Sequence, residues 1–143
     1  MTRAPYNWQA GDPPTIKQHS LAKHEVLHAY LVKYIQTLVI SPHQEELRLT
    51  LVDGFAGGGI YRHELTRATV LGSPFVFLNA AKEAEALINL QRQKPLRMNV
   101  DYFFVEVDPD AFRLLSRALD EQGYKQRISS DTVVSQRFLG KRL

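Results

Sequence analysis

Two acidic turns carry the residues best suited to chemistry. The first is Asp53-Gly54-Phe55-Ala56-Gly57-Gly58-Gly59, directly behind the apolar run Leu47, Leu49, Leu51 and Val52. The second is Glu106-Val107-Asp108-Pro109, at the end of the aromatic and β-branched run Val100 to Val107. Glycines at 54, 57, 58 and 59 strip side chains from the loop, so that its backbone N–H groups can approach a ligand closely. A carboxylate just before such a loop suits a positively charged amino-acid end, with which it can pair directly or through water. It would repel phosphate. Glu106 offers two acceptor oxygens to a vicinal diol, the logic by which an acidic residue reads a ribose in dinucleotide folds. An ammonium group together with a ribose describes S-adenosylmethionine.

Two other glycine-loop chemistries fail on the residues present. A phosphate-binding loop needs Lys-Ser/Thr after its last glycine, and Ile60-Tyr61 stands there. The dinucleotide fingerprint can begin at Gly57, but Arg62 occupies its third glycine position. Each remaining feature also has a plain structural reading. Glycine clusters serve turn geometry more often than ligands. Asp108 is as well explained as a helix cap, and Glu106 as a charged residue at a strand end. The pairing of both strand ends raises the functional reading above the plain one. His24 and His28 are spaced by four residues, but no acidic partner accompanies them, which favours packing over a zinc site. Asp12-Pro13-Pro14-Thr15 is similar to the D-P-P-Y loop of amino-methyltransferases, but the residues before it do not read as a strand.

The elements that must position these turns follow from periodicity. Residues 1–19 hold Pro5, Gly11, Pro13 and Pro14 among polar residues and read as an extended arm with no core of its own. Leu21, Val26, Leu27, Tyr30, Leu31, Tyr34, Ile35, Leu38 and Val39 recur about four apart and predict a long amphipathic helix, capped by Ser20 and stopped at Ser41-Pro42. Leu47 to Val52 reads as a buried strand. After a mixed, polar stretch at 60–72, Ser73-Pro74 predicts a helix start, with the helix running to about Arg92. Val100 to Val107 reads as a second buried strand. Asp108-Pro109 opens another helix, with Phe112, Leu115, Ala118 and Leu119 on one face and Gly123 at its end. Strand, helix, strand, helix predicts an α/β fold with a parallel sheet, whose strand ends, where the loops leave the sheet, are where ligands bind. The polar tail at 124–143 carries too few apolar residues for an assignment.

Composition narrows the class. The chain has 143 residues, 44% of them hydrophobic, enough for one domain with a real core. It has no cysteine, which excludes disulfides, thiolate metal sites and cysteine nucleophiles and fits a cytoplasmic setting. No stretch approaches the roughly 20 apolar residues of a membrane helix, so a soluble protein is expected. The net charge of +3 is modest and spread along the chain, which permits nucleic-acid binding without indicating it.

Taken together, several segments resemble the three-Cys-motif partner proteins, a bacterial and phage-associated family with a methyltransferase-like fold. They are His19-Ser20-Leu21-Ala22-Lys23-His24 with Leu27 and Tyr30-Leu31, the loop at 53–59 with Tyr61, Gly72-Ser73-Pro74, and Phe104-Val105-Glu106-Val107-Asp108-Pro109. Their order and spacing fit across most of the chain. The resemblance implies a Rossmann-like fold, S-adenosylmethionine as cofactor, and a protein partner carrying the three-Cys motif. It also implies that Lys23 and His24 lie close to the loop, and that Asp53, Gly57 and Glu106 take the ordinary methyltransferase roles. The chain departs from the pattern at Gly58, where the family often has proline. By the same likeness, 60–72 is an insertion able to lie across the cofactor.

The expected arrangement is an arm at 1–19, the N-terminal part of a methyltransferase-like domain at 20–123, and the tail. Such domains carry about seven strands, and only two are clear here, so the acceptor-binding half and any catalytic residue are expected to lie elsewhere. The expected cofactor-binding set is Asp53, Gly54, Phe55, Ala56, Gly57, Gly59, Glu106, Asp108, Lys23 and His24, with no metal. Little activity is expected from this part alone, and an open sheet edge after the second strand is expected to favour self-association. Two other readings stay open: a module that binds cofactor or a partner without transferring a methyl group, and a nuclease-system component sharing only the fold.

Overall fold

The computed structural model describes residues 7–8, 13–124, 127–130 and 133–139. In chain order the elements are β1 (Thr15–Ile16), α1 (Gln18–Thr37), β2 (Glu46–Asp53), β3 (Ile60–His63), β4 (Thr69–Leu71), α2 (Ser73–Asn89), β5 (Arg97–Val105), α3 (Pro109–Glu121), β6 (Arg127–Ser130) and β7 (Val133–Leu139). They form a mixed α/β structure. One sheet has the order β2-β5-β7-β6 and a smaller one the order β1-β3-β4.

The expected strand pair is present. β2 and β5 run parallel in a register that sets Leu47 beside Met98, Leu51 beside Tyr102 and Asp53 beside Phe104. Their side chains alternate between faces, as a pleated strand requires. Met98, Val100, Tyr102 and Phe104 are fully buried, in one cluster with Leu31 and Ile35 of α1, Phe75, Leu78 and Ala81 of α2, and Leu115 and Leu119 of α3. The opposite face is left open: Val52 is 60% exposed and its neighbour Phe103 is 37% exposed. Both strands were expected to be buried outright. They are covered on one face, because all three helices contribute to the same apolar cluster.

The helix ends show which local signals act. The Asp108 carboxylate caps α3 by accepting hydrogen bonds from the backbone N–H groups of Asp110 at 2.9 Å and Ala111 at 3.4 Å. At the other end Gly123 takes a φ of 83°. The Tyr124 N–H then bonds the Leu119 carbonyl at 2.9 Å and the Gly123 N–H bonds that of Asp120 at 3.0 Å, which satisfies carbonyls the helix leaves unpaired. Replacing Asp108 with alanine is expected to cost about 1 kcal/mol of stability, to be read as a drop in the urea midpoint at unchanged slope. An unchanged midpoint would show that solvent replaces the cap at no cost. The other two caps differ from expectation. α1 starts at Gln18 behind Lys17, with no side-chain cap. For α2, the cap position falls on Gly72, which leaves the Ser73 hydroxyl free for another acceptor.

Several further expectations meet the structure. The N-terminal arm does contribute core: Trp8 is 5% exposed and Ile16 is 1% exposed, packed with Tyr61 and Ala111 in a second, smaller cluster. Asp12, the first residue of the D-P-P-Y-like segment, lies outside the described residues, and Thr15 enters β1. The polar stretch at 60–72 folds as the β3–β4 hairpin, with β1 parallel to β3. Of the apolar positions read onto α1, Val26, Tyr30 and Tyr34 are exposed, with the two tyrosine rings stacked at 6.0 Å on the solvent side. At 100° per residue they sit beside the stripe of Leu27, Leu31 and Ile35, not within it. Finally, the sheet is mixed, not purely parallel. The described parts of the tail form β6 and β7, and β7 pairs antiparallel with β5 along the edge that was expected to be open. The edge strands of this sheet among the described residues are β2 and β6 instead.

Candidate functional site

β2 delivers Asp53 to its carboxyl end on the same face as Leu51, so the carboxylate points toward the helical layer and is buried, 9% exposed. It is the one charged side chain buried among the described residues, and burial of a carboxylate demands partners. Oδ1 accepts a hydrogen bond from the Phe55 N–H at 3.2 Å, which turns the chain sharply out of the strand. Oδ2 accepts from the Ser73 hydroxyl in the first turn of α2. That turn contains no acid of its own, so Asp53 supplies the negative charge that a helix N-terminus favours. The strand end, the glycine loop and α2 are thereby tied to one side chain.

Glu106 follows β5 by one residue and is half-buried. Burial pushes its carboxyl above the ordinary glutamate range, and the negative charges of Asp108 and Asp53 push it the same way. Hydrogen bonds from the Asp108 and Val107 backbone pull partly against this. Three carboxylates therefore converge on the carboxyl ends of two adjacent parallel strands. The loop is anchored there too, since the Ala56 N–H bonds the Val105 carbonyl at 3.0 Å. The rim is open to solvent beside them: Phe55 is 95% exposed, Val107 is 77% exposed, and a side chain built at Gly54 would meet nothing within 4 Å. A rim of this kind can accept hydrogen bonds from hydroxyls, pair with a cation, and offer apolar contact from Phe55 and Val107.

The rest of the loop faces inward. Gly57 has a φ of 67° and Gly59 one of 81°, the left-handed region in which glycine carries no penalty. A Cβ at Gly58 would lie 2.3 Å from the Trp8 ring, and one at Gly57 would lie 2.8 Å from the Tyr61 hydroxyl. Tyr61 in turn stands edge-on to Trp8, with ring centroids 5.2 Å apart, and the His24 imidazole lies 6.4 Å from the Tyr61 ring. Burial lowers the pKa of His24, and the charge of Asp53 raises it partway back. The Nδ1 atom of His24 is buried without a hydrogen-bond partner.

The structure thus brings together Asp53, Glu106 and Asp108, with Gly54 and Phe55 at the rim, Ala56 buried in the core below it, and His24 behind them within reach of the field of Asp53. Lys23 is exposed on α1. Gly59 is turned into the core, where a Cβ would meet Leu115 and Phe75 at 3.1 Å each. Sequence reasoning missed Ser73 as the partner of Asp53, and missed Trp8 altogether. The acid-to-hydroxyl pairing spans 20 residues and carries no local signal. The large aromatic in a proline-rich arm was the available clue to Trp8. A cavity of about 170 Å³ lies between Gly58, Ile60 and the Leu114, Arg117 and Glu121 side of α3, but none of the three carboxylates lines it. Among the described residues no cluster of His, Cys, Asp and Glu could hold a metal ion, and no helix is long and apolar enough to cross a membrane.

No family model, no curated protein and no solved structure matches the chain.

Proposed function

We propose that the rim formed by Asp53, the glycine loop and Glu106 binds S-adenosylmethionine, and that the chain is the cofactor-holding front part of a methyltransferase of the three-Cys-motif partner type. The observation that carries this reading is the convergence of Asp53 and Glu106 at the carboxyl ends of adjacent parallel strands. That position is where open α/β sheets hold ligands. The excess negative charge there favours a ligand that is cationic and rich in hydroxyl donors. The cofactor has an ammonium group, a sulfonium and a ribose diol, which answers both requirements. A phosphate-bearing nucleotide would add repulsion.

In this reading Glu106 accepts from the ribose hydroxyls, Asp53 attracts the ammonium end while it keeps Phe55 and Ser73 in place, and Val107 and Phe55 give apolar contact. Asp108 acts through the cap of α3, holding the turn that carries Glu106. The bound cofactor supplies an electrophilic methyl group. The described residues contribute binding and orientation of the kind that makes a bimolecular step effectively unimolecular. The methyl acceptor is bound by residues outside the described set. A three-Cys-motif protein as partner, and self-association through the free edge of β2, belong to the same proposal.

Isothermal titration of the purified chain with S-adenosylmethionine tests it directly. Saturable one-to-one binding that ATP does not compete away is the expected result. A folded chain that gives no heat with the cofactor would sink the reading. Binding without transfer to any protein or nucleic-acid acceptor, even with the candidate partner present, would leave a binding module in place of an enzyme.

A further inference from the structure

A loop with three consecutive glycines has no intrinsic reason to keep one shape, because glycine visits many backbone conformations and loses the most entropy when held in one. Yet Gly57, Gly58 and Gly59 are all buried, and two of them sit in the left-handed region. Something outside the loop must hold it. Trp8 touches it most closely. The atoms nearest a Cβ built at Gly58 are its Cζ3 at 2.3 Å, Cε3 at 2.5 Å and Cη2 at 3.1 Å, and those near Gly57 include its Cζ2 at 3.3 Å. All four belong to the six-membered ring of the indole, so that ring lies directly against the backbone of both glycines. Tyr61, 7% exposed, backs the indole edge-on, and Ile16 and Ala111 complete the cluster.

We propose that Trp8 is a positioning residue for the glycine loop: seated on Gly57 and Gly58, it holds the loop in its ligand-ready shape. A side chain is absent at 58 because the indole needs the space, and at 57 because the Tyr61 hydroxyl and the indole share it, not only because a ligand does. The N-terminal segment is therefore part of the site's architecture. A ligand that binds a loop already in place is spared the cost of ordering it, and that last step rests on the cofactor reading above.

Trp8 is the only tryptophan in the chain, so its emission reports its seat with no other signal mixed in. Gly58→Ala places a methyl group where the ring lies. It is expected to shift the emission to longer wavelength and raise acrylamide quenching while the far-ultraviolet dichroism stays as in the parent chain. Unchanged emission would overturn the contact.

Hydrogen exchange then reads the loop without any ligand. In Trp8→Ala the amides of Gly57, Gly58 and Gly59 are expected to exchange faster while those of β5 keep their protection. Equal protection of the loop would overturn the positioning role. Should Trp8→Ala unfold the chain, the β5 amides will exchange as well, and Trp8→Phe, which keeps a six-membered ring, decides by the same comparison. Titration with S-adenosylmethionine is expected to give about tenfold weaker binding in Trp8→Ala, with part of the loss recovered in Trp8→Phe. Equal affinity in all three chains would separate the loop from the ligand. Failure of the parent chain to bind would count against the cofactor reading, while the emission and exchange results would still decide the role of Trp8.

Discussion

Asp53→Ala is expected to lower the stability of the chain by about 2 to 3 kcal/mol and to abolish binding of S-adenosylmethionine. The carboxylate has two structural partners, the Phe55 N–H and the Ser73 hydroxyl. Hydrogen bonds to a charged acceptor are among the stronger ones, and removing the acceptor leaves both donors unmatched at a site only 9% exposed. The melting midpoint should fall by roughly 5 to 10 °C. Asp53→Asn separates the two roles. Its amide oxygen can still accept from Phe55, so most of the stability should return, but the charge facing the ligand's ammonium is gone. A midpoint unchanged in Asp53→Ala would mean that the two bonds do not hold the strand end. Tight binding in Asp53→Asn would remove the ammonium pairing from the mechanism.

Glu106→Gln is expected to act in opposite directions on stability and on binding. The Glu106 carboxyl is raised above its ordinary value of 4.5, first by burial and then by the charges of Asp108 and Asp53. A carboxyl with a higher pKa in the folded than in the unfolded chain takes up protons on folding, so stability falls as pH rises from the unfolded value through the folded one. The amide abolishes that loss. Glu106→Gln should melt higher than the parent chain at neutral pH and at the same temperature well below pH 4.5. The ribose contact weakens because one of its two acceptor oxygens is lost, and binding should drop by about tenfold or more. Affinity of the parent chain should also decline as pH falls through the raised pKa, a decline absent from the variant. Equal melting of the two chains at neutral pH would show that the carboxylate is not under strain from its neighbours. Undiminished affinity would dismiss it as a ligand contact.

Together the two substitutions distinguish a site from a scaffold. A residue that serves only folding loses stability when removed, as Asp53 does in part. A residue kept for a ligand is one the fold would rather be without. Glu106 is the sharper test for that reason: its charge is a cost to the folded chain that the Asp108 and Val107 backbone offsets in part and that a hydroxyl-rich or cationic partner would offset further.

Much of the frame was legible because its signals are local. The strands at Glu46–Asp53 and Arg97–Val105 follow from short apolar runs, and their parallel pairing from the helix that must connect them. Asp108-Pro109 and Gly123 marked the two ends of α3, since a cap and a left-handed turn each draw on residues within a few positions. The acidic residues at the two strand ends were legible for the same reason.

What stayed hidden depends on contacts far apart in sequence. The strands at 127–130 and 133–139 could not be read from a mostly polar tail, because the pairing of β7 with β5 and of β6 with β7 is a backbone matter that composition barely records. The exposure of Val26, Tyr30 and Tyr34 depends on where α1 settles against α2 and the sheet, which periodicity alone leaves open by about one residue's rotation.

By itself the sequence determined that two acids and a glycine loop stand at the ends of two strands, since strand, turn and cap are set by neighbouring residues. Only the tertiary structure decided how those parts are held: Ser73 on Asp53, and Trp8 on Gly58. The reason is physical. A hydroxyl and an indole find their partners through packing across the fold, and packing is decided by the shape of the whole.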